Sequence, residues 1–339
     1  MNKRDFLARR LGNAGLLRLL ERVGRRPCLL VLSYHRIGDP AASPFYGPIF
    51  SATQDDFRAQ VALLRDRFRL IDLDDALTIA ASGFRLDRPS ALITFDDGYR
   101  DNVELALPVL TDLGAPAAFF IPSGFPESAR LPWWDHVAYV LNRTRRPSLT
   151  LDLPEPLTIQ LGQTDRTNAI AEVIGAFLRV DRADDPLLAE HLEQRAEVDV
   201  SADNPGQNLF VSWDQVRQLA DAGMSIGSHS HSHPNLAKLS EPEQRVELVR
   251  TRQTLERELG REVATLAYPY GVADAVSDAT RRLAGEAGYR LAFALSSLVN
   301  RPGTADPLLL GRILVGSADS LPLFRARMAL ASAFGSSPL

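Results

Sequence analysis

Asp96 and Asp97 stand side by side and are followed by Gly98, directly after the apolar run Ala91-Leu92-Ile93-Thr94-Phe95. That run reads as a short buried strand, rich in branched and aromatic residues. Side chains alternate across a strand, so two adjacent carboxylates can serve one site only if the backbone turns between them. A glycine at the next position makes such a turn inexpensive. The expected product is a pair of carboxylates at a strand mouth, one to bind a metal and one to move protons. A second cluster, His229-Ser230-His231-Ser232-His233, follows the strand-like Met224-Ser225-Ile226-Gly227-Ser228. His229 and His233 are four residues apart and can share a face, whereas His231 between them points away. Two imidazoles and one carboxylate, with positions left over for water and substrate, make up a catalytic divalent-metal site.

The elements that must position these groups alternate along the chain. Strand-like runs are expected at 28–34, 70–71, 91–95, 117–121, 224–228, 263–267, 289–294 and 308–315. Helical patterns lie between them, and this strand–helix rhythm argues for parallel βα units closing into a barrel. Ser51 is the expected N-cap of the first helix, with Asp72 or Asp74 for the second and Asp274 for a late one at Ala275–Ala287. The helix from Val103 to Leu113 should be broken at Pro108. In barrels of this kind functional groups gather where strands end, and His35, Asp96 and Asp97 all fall at such ends.

Between about 124 and 208 the rhythm changes to helical stretches around a hairpin, Leu149–Leu153 and Leu157–Leu161, turning at Pro154-Glu155-Pro156. Its apolar content suggests an insertion capping the barrel, without a core of its own. His136 and His191 lie there without partners at ligand spacing and read as surface or packing histidines. Trp133 and Trp134 could stack on a sugar ring, though tryptophan pairs are more often core anchors.

Composition narrows the class. The 339 residues are 45% hydrophobic and 24% charged with a net charge of -4, so bulk charge offers no argument for a nucleic-acid partner. One cysteine, Cys28, excludes an internal disulfide and a cysteine-built zinc site, and fits a reducing compartment. No run approaches the ~18 apolar residues of a spanning helix. Gly12, Asn13, Arg18 and Glu21 interrupt any signal-peptide core, which gives a cytoplasmic expectation. Residues 1–26 carry a strong basic excess over Asp5 and Glu21, with apolar residues at helical spacing. A basic amphipathic helix of this kind can lie against the inner membrane face or pack on its parent domain.

Thr94-Phe95-Asp96-Asp97-Gly98-Tyr99, Ile226 to Pro234 and Ala267-Tyr268-Pro269-Tyr270-Gly271 resemble, in order and spacing, the successive motifs of the polysaccharide deacetylase family. This is the NodB-homology fold of carbohydrate esterase family 4, and the resemblance covers roughly residues 28–123 and 209–316. It implies a distorted (β/α) barrel for residues 27–339. It implies a metal-dependent amide hydrolase that removes an N-acetyl group from an amino sugar in a polysaccharide, oligosaccharide or glycoconjugate. Asp97, His229 and His233 would hold one divalent ion, zinc first, with cobalt, manganese or nickel also acceptable to this donor set. Asp96 would be the general base, and the backbone N–H of Tyr270 would face the developing oxyanion, since Pro269 has none to offer.

Two departures from the family pattern matter. Ala267 stands where many members carry a base-orienting arginine, and Arg312, after a late strand, is the candidate to supply that charge. No histidine follows His233, so the family's usual C-terminal acid is missing. His35 resembles the Tyr-His of a subgroup whose acid comes from the N-terminal side, and a closed barrel makes first and last strands neighbours. Alternative readings are a deformylase or deacetylase of a lipid-linked sugar, and an inactive carbohydrate-binding relative.

Overall fold

The structure, a computed structural model, describes Leu17, Glu21 and residues 26–162, 166–180 and 185–336. Seven parallel strands form its centre: β1 (Leu29–Tyr34), β2 (Ser90–Phe95), β3 (Ala117–Ile121), β4 (Ser225–Ser228), β5 (Thr265–Ala267), β6 (Leu291–Leu295) and β7 (Leu310–Leu314). Each pairs with the next in chain order, and β7 pairs with β1, so the sheet closes on itself. A short strand, Arg69–Leu70, lies beside the first residues of β2. The expected distorted (β/α) barrel is therefore present.

Alternation sorts the strand residues into two apolar layers. Leu30, Leu32, Ala91, Ile93, Ala117 and Phe119 join one cluster with the helices around the barrel, including Phe57, Val61 and Leu64 of the helix Gln54–Arg67. Leu29, Val31, Leu92, Phe120, Phe293 and Leu310 belong to a second cluster with Leu73, Ala76 and Ile79 of the helix Leu73–Ala81. Burial on both faces explains why these strands read as near-continuous apolar runs. The parity of the inner set carries the chemistry. Leu29, Val31, Ser33 and His35 share one side of their strand, as do Leu92, Thr94 and Asp96, and Leu310 and Arg312.

Several local expectations shift. Ser51 lies in a short strand, Phe50–Ala52, and Thr53 caps the following helix by accepting from the Asp56 N–H. Ser277, not Asp274, caps the helix Asp278–Glu286, because Ala273–Ala275 forms a 3-10 turn of its own. Asp72 is the cap of Leu73–Ala81. The expected break at Pro108 is a π-helical turn, Asn102–Ala106, running into Leu107–Leu113. Pro108 comes just after that turn, so the residue that lacks an N–H sits where the backbone has already left regular α geometry.

The chain divides into two compact units, the barrel and a second one built from Asp39–Ile49 and Glu127–Leu209. The second unit corrects the expectation of a coreless insertion. Trp134, Val137, Leu141, Leu151, Ile159, Val173 and Phe177 form a buried cluster of their own. Its apolar residues are spread over three helices (Trp133–Arg143, Thr167–Arg179, Pro186–Ala196) and the antiparallel hairpin Ser148–Leu151/Leu157–Gln160. No single stretch therefore announces a core. Trp133 stacks on Phe177 within this cluster, so the tryptophan pair anchors packing. His136 shares a 2.8 Å hydrogen bond with Glu193, and His191 accepts one from the Asp152 N–H.

Of the basic segment 1–26, Leu17 and Glu21 are described and helical. Leu17 is buried against Leu323, Ala326 and Ala329 of the helix Leu321–Phe334, and Glu21 pairs with Arg67 and Arg325. The rest of the expected N-terminal helix lies outside the described residues. Among those described, no helix is long and apolar enough to cross a membrane.

Candidate active site

Strand ends around the barrel build the site. Past β2 the backbone turns as anticipated: Asp97 and Gly98 have φ of 69° and 68°, which sends the two carboxylates to different neighbours. A side chain at Gly98 would also meet Ile121 at 3.1 Å. Past β4, Ser230 and His233 adopt the left-handed conformation, and past β5 so does Tyr270, at φ 61°. Such residues cost about 1–3 kcal/mol each outside glycine and persist where surrounding contacts hold them. Their concentration at one rim of the barrel marks it as a functional face.

Asp97 Oδ1 lies 3.4 Å from His229 Nε2 and 3.2 Å from His233 Nε2. All three residues are buried, and one donor atom from each falls within 4.8 Å of the others. His229 Nδ1 is 2.7 Å from the Ala267 carbonyl, which can only accept, so the ring proton sits on Nδ1 when the imidazole is neutral. Nε2 then presents a lone pair to the carboxylate, and Asp97 Oδ1 is a buried oxygen with no hydrogen-bond partner. Acceptors converging on one point are what a cation satisfies, and a carbonyl holding the far nitrogen is the usual support of a ligating histidine. The donor set fits one divalent ion. Without a cation, burial pushes the Asp97 carboxyl up, but His233 and His229, whose charged rings attract the carboxylate and donate to it, outweigh burial and hold the carboxyl well below the usual carboxylate range.

Asp96 has a different main partner, although its Oδ2 also lies 3.9 Å from His229 Nε2. Arg312 donates to both of its oxygens, Nη1 to Oδ1 and Nη2 to Oδ2, at 2.7 Å each. Ser33 Oγ lies 3.4 Å from Oδ2, and Arg312 Nη1 also reaches Thr94 Oγ1 at 3.3 Å. Burial raises the Asp96 carboxyl, yet Arg312 and His229 overcome it, leaving the group lowered and ionised. Arg312, expected only as a candidate, is 1% exposed and spans the barrel interior from β7. Ser33 and Thr94 were absent from the sequence-based set, although strand parity alone aligns them with His35 and Asp96.

His35 Nε2 stands 4.0 Å from Asp96 Oδ2. The Ser33↔Thr94 and Tyr34↔Phe95 register carries forward through the bond from the Asp96 N–H to the Tyr34 carbonyl, which sets His35 beside Asp96. Its backbone is fixed on both sides, the N–H by Ser51 Oγ and the carbonyl by Asn102 Nδ2. Burial lowers the imidazole, against the pull of Asp97 and Asp96. Tyr270 places its ring centroid 5.2 Å from that of His233, and Phe125 lies 6.0 Å away. His231 turns instead to Ser123 Oγ, 2.9 Å from its Nδ1, as its position in the loop suggested.

Similarities to known proteins agree with this geometry. The polysaccharide deacetylase family matches residues 85–146 and 183–292, about half of the chain, including Asp97, His229 and His233. A peptidoglycan-N-acetylglucosamine deacetylase from Bacillus cereus is 41% identical over 66 residues, a match spanning 20% of this chain and 24% of that protein. Among solved structures, IcaB from Ammonifex degensii superposes with a TM-score of 0.58 at 22% identity, covering 90% of this chain and 98% of that one. A Streptococcus pyogenes deacetylase in complex with acetate gives 0.56 at 17% identity, covering 87% and 96%. These likenesses carry the barrel, and the sequence match carries the lineage: the chain belongs to the polysaccharide deacetylase family.

Proposed function

We propose that this protein is a metal-dependent hydrolase that removes the N-acetyl group from an amino sugar in a polysaccharide, oligosaccharide or glycoconjugate. The observation that carries the reading is the division of labour between adjacent carboxylates. Asp97 faces two imidazoles, and Asp96 is clamped by Arg312. Asp97, His229 and His233 hold the ion in this reading. When bound, it polarises the acyl carbonyl and acidifies the attacking water, with zinc the first expectation.

Asp96, ionised at neutral pH, takes the proton of the water as its oxygen attacks the acyl carbon. Arg312 occupies one lone pair on each Asp96 oxygen and fixes the direction of those that remain. The N–H of Tyr270 receives the oxyanion, a role supported by the left-handed turn that sets this residue against His233. As the carbon–nitrogen bond breaks, the proton taken up by Asp96 reaches the nitrogen through the neighbouring His35 imidazole, and acetate and the free amine depart. Tyr270 and Phe125, half-buried with ring centroids 5.2 and 6.0 Å from that of His233, offer apolar walls to the acyl group.

Acetate release from N-acetylglucosamine oligomers by metal-reconstituted protein tests this, with Asp96→Asn alongside. Release by the wild type and a loss of about 10²–10⁴-fold in the variant, with metal still bound, supports hydrolase and base together. The basic excess of residues 1–26 favours a second reading, deacetylation or deformylation of a lipid-linked sugar at the cytoplasmic membrane face. Tight metal binding without release from soluble oligomers would turn the assignment that way.

A further inference from the structure

Resting on the metal reading above, we infer that Glu247 is a positioning residue that sets where His233 stands relative to His229, and so sets the affinity of the site for its cation. Glu247 lies on the helix Glu241–Leu259, outside the ligand set. Its Oε2 accepts from the N–H groups of His231 and Ser232, and its Oε1 accepts from Ser232 Oγ, all at 2.8 Å. The two amides belong to the residues between the left-handed positions Ser230 and His233.

The opposite side of the same loop is held by the segment after β3. Ser123 N–H donates to the Ser230 carbonyl at 3.2 Å, and Gly124 N–H donates to the His231 carbonyl at 2.8 Å. There is no slack on that side: a side chain at Gly124 would meet the His231 carbonyl oxygen at 2.8 Å. Across the loop, the His233 N–H donates to Ser230 Oγ at 3.0 Å. The carbonyls are thus anchored by backbone and the amides by one carboxylate.

His229 does not depend on this clamp, because its ring is fixed through Nδ1 by the Ala267 carbonyl. His233 does. It enters the site at the end of a loop whose strained conformation is held open by the Glu247 bonds, and its ring stands 4.9 Å, centroid to centroid, from that of His229. Without Glu247 the two amides turn to water, the left-handed residues relax, and the spacing between the two imidazoles is no longer defined.

The test is zinc affinity, measured by competition with a chromophoric chelator, for wild type, Glu247→Ala and Glu247→Gln. Thermal unfolding of each metal-free protein is followed in parallel. Glu247→Ala should weaken zinc binding by about 10–100-fold, the usual effect of removing a group that orients a ligand. Glu247→Gln should stay close to wild type, since its amide oxygen still accepts both N–H bonds and its NH2 can donate to Ser232 Oγ. The metal-free unfolding midpoints should stay together. Should the alanine variant not fold, Glu247→Asp carries the same expectation, because it keeps the charge and loses the reach. Equal zinc affinity in wild type and Glu247→Ala overturns the role of Glu247 alone. Loss of affinity that tracks loss of metal-free stability, without rescue by glutamine, also overturns it. A wild-type protein that binds no zinc overturns the metal centre and the role with it.

Discussion

Arg312 and Asp96 meet through two parallel hydrogen bonds of 2.7 Å, and both side chains are almost wholly buried. A fork-to-fork pair of this kind fixes orientation as well as charge. It also explains how an ionised carboxylate can sit beside Asp97: the guanidinium gives Asp96 a buried counterion of its own.

Arg312→Ala leaves Asp96 buried and uncompensated, which should destabilise the protein by about 3–5 kcal/mol. Urea unfolding at pH 7 measures this directly. Arg312→Lys keeps the charge but cannot make both bonds, so it should fold better than the alanine variant and still lose activity. An alanine variant as stable as wild type would mean that the pair does not carry the buried charge.

In the proposed mechanism, His35→Gln separates the proton donor from the base. Removing a general acid should slow acetate release from an N-acetyl sugar by about 10²–10⁴-fold. A substrate with an activated leaving group, such as an aryl acetate, needs no protonation there and should be largely spared. Equal losses on both substrates would place His35 in support of Asp96 and not in proton donation.

Acid stability follows from the lowered carboxylates. Asp96 and Asp97 both titrate below their ordinary values in the folded protein. The unfolded chain therefore binds more protons near pH 4, and folding stability rises with pH there. Their contribution is complete above the unfolded value of about 3.9 and is lost as pH falls through the lowered folded values. Urea midpoints of the metal-free protein between pH 2.5 and 5 should show this slope, and Asp97→Asn should flatten it.

The buried Asp97–His229–His233 cluster was legible because its signals are local: Asp96-Asp97-Gly98 and His229 to His233 each lie within one short stretch. The barrel strands were legible because parallel strands buried on both faces must be apolar throughout. Arg312 was harder, since nothing within β7 reveals that its guanidinium crosses the barrel to a residue 216 positions away. Only the parity shared by Leu310 and Arg312 points inward. The core of the second unit was not legible, because residues such as Leu151, Ile159 and Val173 converge from separate short elements. Glu247 gave no signal either: one glutamate among many charged residues on a long helix is distinguished only by the loop it meets.

The order of strands around the barrel has a consequence for how the protein comes into being. Because the ring follows the chain, β7 is made last and is the strand that brings the guanidinium to Asp96. A nascent chain that has emerged only through β6 already contains Asp96, Asp97, His229 and His233, yet its ring is open and Asp96 lacks a counterion. The Asp96 carboxylate therefore stays without its guanidinium until that last strand docks.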